Sequence, residues 1–207
     1  MTPDSSLTPD MRADLDSALD LARQGRDGPL LGGPIGLMWG VLLFAVFGLQ
    51  YLILERVLDW PLSSLGYLWI AFALVGGLGV FLLSRRQDDM PGAQSIANRV
   101  ESHVWIMFSA AIASLLVGVI ANQLFSGGTP RLWDLVLVFG FAGQATAYGV
   151  VARMTGRGWV ALASLAAALG AILSMAVYGS NAIYAVGAVM VVPAIILPSL
   201  VSMRAVK

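Results

Sequence analysis

An uncharged apolar stretch over residues 34–54 constrains this 207-residue chain more than any other feature. It runs PIGLMWGVLLFAVFGLQYLIL, and Gln50 is its only strongly polar residue. A helix rises about 1.5 Å per residue, so this stretch can cross a hydrocarbon core roughly 30 Å thick. Because lipid offers no partner to backbone amides, a single segment that crosses it must be helical. The stretch therefore predicts a transmembrane helix.

Further apolar stretches extend this prediction to the rest of the chain. The composition, 58% hydrophobic and 12% charged residues, lies outside the range of soluble domains. We predict an all-α, polytopic membrane bundle over residues 30–207, with six helices in three hairpins, behind a polar leader over residues 1–29. The predicted spans are residues 34–54, 65–83, 104–125, 135–152, 159–178 and 182–203. Pro91 and Gly92 open a helical pattern that continues into the third span, so we expect one long helix there.

The leader carries the pattern of a short amphipathic helix. Thr8 is a suitable N-cap, Pro9 fits the first helical position, and Met11 and Leu15 begin a narrow apolar stripe. The opposite face is acidic, with Asp10, Asp14, Asp16 and Asp20. An acidic helix is unsuited to anionic lipid. Two interpretations remain: a cover over the cytoplasmic mouth of the bundle, or a docking helix for another protein.

The distribution of basic residues predicts the orientation. With a cytoplasmic N-terminus, ten of the twelve Lys and Arg residues lie on the cytoplasmic side, and only Arg56 and Arg131 lie opposite. This is the positive-inside pattern, and it makes both termini cytoplasmic. All six Trp residues fall near predicted span ends, where an aromatic belt is expected.

Small residues at four-residue spacing form two prominent helix faces. The first helix carries Gly32, Gly36 and Gly40, and the third carries Ala110, Ser114 and Gly118. Such faces let helix backbones approach closely in lipid. They serve either packing inside one protomer or association with a partner or a second copy. The first-helix face is the preferred candidate for association.

Polar residues within the spans are few. Gln144 is predicted near the middle of the fourth span, with Tyr148 one turn away. A buried amide can simply bond two helices together, or it can line a ligand path with Tyr148 and Asn122. Near the outer span ends lie Gln50, Asn122, Asp134 and Asn181, which could rim one mouth. Asp134 is also close enough to Arg131 in sequence to form a surface pair.

The residue types that the sequence lacks exclude several kinds of catalytic and metal site. The chain has no cysteine and one histidine, His103, so it lacks cysteine nucleophiles, thiolate metal sites and paired haem ligands. No charged residue lies in the central part of any predicted span, which argues against a proton relay. Motifs of intramembrane or phosphate-binding enzymes are also missing. Net charge is zero, so nothing points to nucleic acid. We expect no enzyme activity, metal or cofactor.

Two features of the sequence are shared with a group of known proteins. They are the segment QGRDGPLLGGP before a Trp-bearing first span, and Pro198 near the end of the last span. The chain resembles a loose group of uncharacterised bacterial inner-membrane proteins with a polar leader helix and about six spans. That resemblance implies the inner membrane but no activity. In size, span count and the Gly32, Gly36 and Gly40 face, the chain is also similar to the substrate-binding membrane subunits of energy-coupling-factor vitamin transporters.

Two functions follow as expectations. The first is a non-enzymatic accessory, scaffolding or regulatory subunit that contacts a protein partner through its cytoplasmic helices and small-residue faces, or forms a homo-oligomer. The alternative is a small solute-binding or transport module whose path passes Gln144. A transport module needs a polar cavity, whereas a scaffold can have a dry, filled core.

Overall fold

A computed structural model describes residues 11, 13–17, 30–88, 90, 95–127 and 131–204 of the chain. Over these residues the chain is helical and free of strands, and six helices are long and apolar enough to cross a membrane. They are α1 (Gly33–Leu54), α2 (Ser64–Asp88), α3 (Ile96–Ser126), α4 (Leu132–Thr155), α5 (Gly158–Ala176) and α6 (Ala182–Arg204). The prediction of an all-helical, multi-pass membrane protein is confirmed.

Helix α3 is the longest element, with 31 residues. Its first turn is capped by Ser95, whose Oγ accepts a hydrogen bond from the Asn98 N–H at 3.3 Å. It ends at Gly127, which adopts a left-handed φ of 63°. At about 1.5 Å per residue the helix is roughly 46 Å long, well beyond the hydrocarbon thickness. The expected opening at residues 91 and 92 lies outside the described residues.

The helices pack so that α2 and α3 are peripheral. The principal neighbours of α1 are α2 and α6, those of α5 are α4 and α6, and α3 packs against α4. Only 6% of the apolar windows of α2 and α3 is buried, against 50% for α6. We call the end at which α1 begins the inner end and the opposite end the outer end. Two long helices thus leave most of their surface exposed.

The bundle centre is filled by apolar side chains from α1, α4, α5 and α6. Buried aromatic and aliphatic side chains from these four helices pack against one another. The cluster comprises Phe47, Leu137, Phe141, Ala167, Ile183, Tyr184, Ala188, Met190, Val191, Ala194 and Ile195. Among its members, only Tyr184 carries a polar side-chain group. The centre is therefore apolar and buried.

Helix α6 contains a single π turn over Val192–Ile196. Pro193 lies at its start and lacks a backbone N–H, and the Leu197 N–H donates to the Val192 carbonyl five residues back. This wider turn absorbs the helix disruption that proline causes. It lies where α6 crosses α1, because a Cβ built on Gly40 would be 2.7 Å from Ile196 Cγ1.

Candidate functional site

The segment Leu30–Gly32, which leads into α1, is held at the inner end by side chains from other helices. Ser202 of α6 donates its hydroxyl to the Leu30 carbonyl at 2.8 Å, and the Gln87 amide of α2 donates to the Leu31 carbonyl. Leu30 itself is only 2% exposed. These bonds satisfy carbonyls of a non-helical segment that would otherwise be buried without partners.

The N–H groups of the same segment are bonded by α3. The Leu31 N–H donates to Asn98 Oδ1 at 2.9 Å, and the Gly32 N–H donates to Glu101 Oε2 at 3.3 Å. The two side chains are three residues apart, and therefore share one face of α3. Glu101 places a carboxylate beside the amino end of α1, where unpaired N–H groups favour negative charge.

These four side chains form one structure, which we call the inner clasp: Gln87, Asn98, Glu101 and Ser202. It ties α2, α3 and α6 to the chain just before α1. Hydrogen bonds therefore anchor residues 30–32, which follow the polar leader in the chain. The resemblance had singled out this LLGGP segment, but its bonding partners lie 56 to 172 residues away.

A second polar network links four helices at the outer end. The Trp69 indole N–H donates to Gln50 Oε1 at 2.9 Å, and the Tyr184 hydroxyl donates to Asp134 Oδ1 at 2.9 Å. Gln50 also lies beside the Tyr184 hydroxyl. Asp134 is 3% exposed and lies 3.8 Å from Arg131 Nη1, measured at Oδ2. The predicted pair with Arg131 is therefore present, but on the Asp134 side it is buried and not at the surface, because this carboxylate also accepts from Tyr184.

The polar residues predicted to rim an outer mouth do not share one site. Gln50 is buried in the outer network, and Asn181 donates to Glu55 Oε1 at 3.1 Å in the connection region. Asn122 is exposed on α3. Of the four predicted residues, Gln50 and Asp134 thus lie in one network, whereas Asn122 and Asn181 each have different surroundings.

Gln144 and Tyr148 are buried inside the bundle, with 6% and 8% exposure. The Gln144 amide lies beside the Tyr148 hydroxyl, and the Trp105 ring packs edge-on against Tyr148 at 5.1 Å. A Cβ on Gly143 would be 2.9 Å from the Phe108 ring, which places Phe108 of α3 against α4 at this level. Asn122 lies roughly 20 Å further along α3 at about 1.5 Å per residue. The structure therefore brings Gln144 and Tyr148 together, but not Asn122.

The two small-residue faces have different surroundings. On α1, a Cβ on Gly36 would collide with Ser199 Oγ, and one on Gly32 would be 2.6 Å from a Glu101 carboxylate oxygen. With Gly40 against Ile196, this face is occupied within the chain, which favours the packing interpretation over docking.

On α3 the corresponding face is open. Ala110, Ser114 and Gly118 are all exposed, and no atom lies within 4 Å of a Cβ built on Gly118. The Ser114 hydroxyl donates to the Ala110 carbonyl of its own helix at 2.9 Å, so it needs no partner. Small residues line a surface that the chain itself leaves uncovered.

The leader is described only in part. Asp14 and Asp16 are exposed, and Met11 and Leu15 of the predicted apolar stripe are 52% and 49% exposed. The remaining predicted docking residues, Asp10 and Asp20, lie outside the described residues.

Possible ligands for metals are scattered. Over the described parts of the chain, no three His, Asp or Glu side chains are close enough to share a metal ion. His103 lies on the exposed side of α3, where its Nδ1 is 2.6 Å from the Arg99 carbonyl.

Comparisons of the chain with protein-family models, curated proteins and solved structures find no match.

Proposed function

We propose that this chain is a non-enzymatic accessory or scaffolding subunit of the membrane, which binds a protein partner through the exposed small-residue face of α3. The observation that carries the proposal is the row Ala110, Ser114 and Gly118, exposed on a helix whose principal neighbour is α4 alone. In lipid, helices associate where small residues allow close approach of their backbones. An uncovered row of this kind suits a helix from another chain.

The apolar centre of the bundle supports the same proposal. A scaffold can have a filled core, whereas a solute path needs polar groups around a space. Gln144 and Tyr148 are neighbours within the buried interior. Both residues lie on α4, one turn apart, so their contact is within one helix. This arrangement gives the transport alternative less support than the scaffold.

The leader completes the proposed interface. Its acidic residues Asp14 and Asp16 are exposed, and the inner clasp holds residues 30–32, which follow the leader in the chain. We place both termini in the cytoplasm of a bacterium, following the distribution of basic residues. The partner then combines a transmembrane helix against α3 with a basic cytoplasmic surface against the leader.

Crosslinking at Ser114 tests the proposal, because the natural chain has no cysteine to interfere. Ser114→Cys, labelled with a benzophenone maleimide in native membranes, should give one discrete adduct with a different membrane protein after illumination. The measurement is mass spectrometry of the crosslinked band.

Ile172→Cys is the matched control, because Ile172 is 65% exposed on α5 outside the proposed face. It should crosslink only to lipid. Equal protein adducts at both positions, or lipid adducts alone at Ser114, would contradict the proposal. An adduct with a second copy of the chain would show that this face forms a homo-oligomer and does not bind a different protein.

A further inference from the structure

A basic cavity lies between α4 and α5 at the inner end. It has a volume of about 370 Å³ and is open on one side. Its lining combines two arginines, one serine, one leucine and several glycines and alanines: Gly149, Ala152, Arg153, Gly156, Arg157, Gly158, Ala161, Ser164 and Leu165. Acidic side chains are absent from that lining. The cavity therefore offers positive charge within a concave surface.

Small residues create this space. The chain turns between the helices at Gly156, which has a left-handed φ of 69°, and a Cβ on Gly158 would meet no atom within 4 Å. Ala152 and Ala161 add no bulk on the facing helices. Arg153 is exposed and Arg157 is half-buried, and Arg157 also attracts the Glu101 carboxylate of the inner clasp. Arg153 is thus the principal cation available to a bound group, with Arg157 adding to the field.

The surroundings of the cavity are amphiphilic. It lies where α4 ends and α5 begins, which is the level of the lipid head groups for helices that just span the hydrocarbon. Leu165 belongs to the lining of the cavity. From it, exposed apolar side chains continue along the outside of α5, away from the inner end, through Leu169 and Ile172. A charged head in the cavity would have apolar chains beside it along this ridge.

From this geometry we propose that the cavity binds the head group of an anionic phospholipid, with the phosphate beside Arg153 and an acyl chain along Leu165 and Leu169. Basic pockets between transmembrane helices are the kind of site that holds such head groups. The apolar ridge favours a lipid over a free phosphate ion, which would need only the charges. This inference does not rest on the proposed protein partner, because the cavity is on α4 and α5 and not on the exposed face of α3.

Native mass spectrometry of the full chain tests the site. Protein in mild detergent is titrated with phosphatidylglycerol or phosphatidylcholine, with and without excess inorganic phosphate. We expect preferential retention of phosphatidylglycerol, which phosphate does not displace. Arg153→Gln should weaken that retention about fivefold, the effect of one basic residue at a lipid surface. Ala161→Phe should weaken it similarly by filling the cavity without changing charge.

Arg204→Gln is the matched control, since Arg204 is an exposed arginine at the same end but outside the cavity. It should retain the lipid as the natural chain does, and thermal unfolding of each variant checks the fold. Equal retention of the two lipids, unchanged retention in Arg153→Gln and Ala161→Phe, or an equal loss in Arg204→Gln would overturn the proposal. Displacement by inorganic phosphate would overturn the lipid as the occupant.

Discussion

Replacing Gly40 with valine should lower the free energy of unfolding by about 2 kcal/mol or more. A Cβ at this position would lie 2.7 Å from Ile196 Cγ1 and 3.4 Å from the Ile196 backbone nitrogen. Ile195 Cγ2 would also be only 3.2 Å away, and both isoleucines are β-branched, so their side chains have little freedom to rotate; α1 and α6 must then separate, and contacts around the π turn are lost. Thermal and denaturant unfolding in detergent, followed by tryptophan fluorescence, measures the effect.

Gly48→Val provides the control on the same helix. No atom lies within 4 Å of a Cβ at Gly48, so valine there should leave stability within about 0.5 kcal/mol of the natural chain. If the two variants were equally stable, α1 and α6 would not cross at Gly40. That result would also remove the reason for assigning the Gly36 and Gly40 face to internal packing.

The double substitution Asn98→Leu with Glu101→Leu should release the segment before α1. It leaves the Leu31 and Gly32 N–H groups without their acceptors, at a cost of about 1–3 kcal/mol for each buried unpaired group. Hydrogen–deuterium exchange at residues 30–33 should rise by at least about tenfold, because a loss of 1.4 kcal/mol in local protection corresponds to that factor. Mass spectrometry of the peptic peptides covering this segment measures the exchange.

His103→Ala is the control for the clasp variant, because His103 lies on the exposed side of α3 and contacts only the Arg99 carbonyl among the bonds described for it. Exchange at residues 30–33 should not change in this variant. Unaltered protection in the double variant would mean that lipid or the leader, and not Asn98 and Glu101, holds the segment.

The sequence predicts the helices well because each apolar segment must satisfy its own backbone hydrogen bonds in lipid, and this requirement is local to the segment. Uninterrupted apolar stretches are easily recognised, and each predicted span falls largely within one observed helix. The unbroken pattern that runs into the third span also predicts a helix as long as α3. These features depend only on the neighbours of each residue along the chain.

The side-chain networks could not be predicted in the same way. Tyr184 and Asp134 are 50 residues apart, and the four members of the inner clasp come from three helices. Nothing in the local pattern near Asp134 says that it faces Tyr184 and is buried. Arg131 is its nearer neighbour in sequence, so the pair with Arg131 can be predicted, whereas the burial of Asp134 cannot.

The small-residue faces show the same limit. Spacing identifies Gly36 and Gly118 equally, yet α6 covers the first and leaves the second open. The distinction depends on which helices become neighbours, and small residues permit close approach without choosing the partner. The sequence favours the α1 face as the docking surface. In our proposal the α3 face takes this role.

Co-purification tests the proposed partner most directly. Full-length chain, Gly118→Leu and Gly77→Leu are purified from native membranes in mild detergent, and co-purifying proteins are quantified by mass spectrometry. Both glycines have open space around a built Cβ, so neither change should disturb the bundle. We predict a stoichiometric protein partner with the natural chain and with Gly77→Leu, and its loss with Gly118→Leu. A natural chain that purifies without a protein partner, or a partner fully retained by Gly118→Leu, would contradict the proposal.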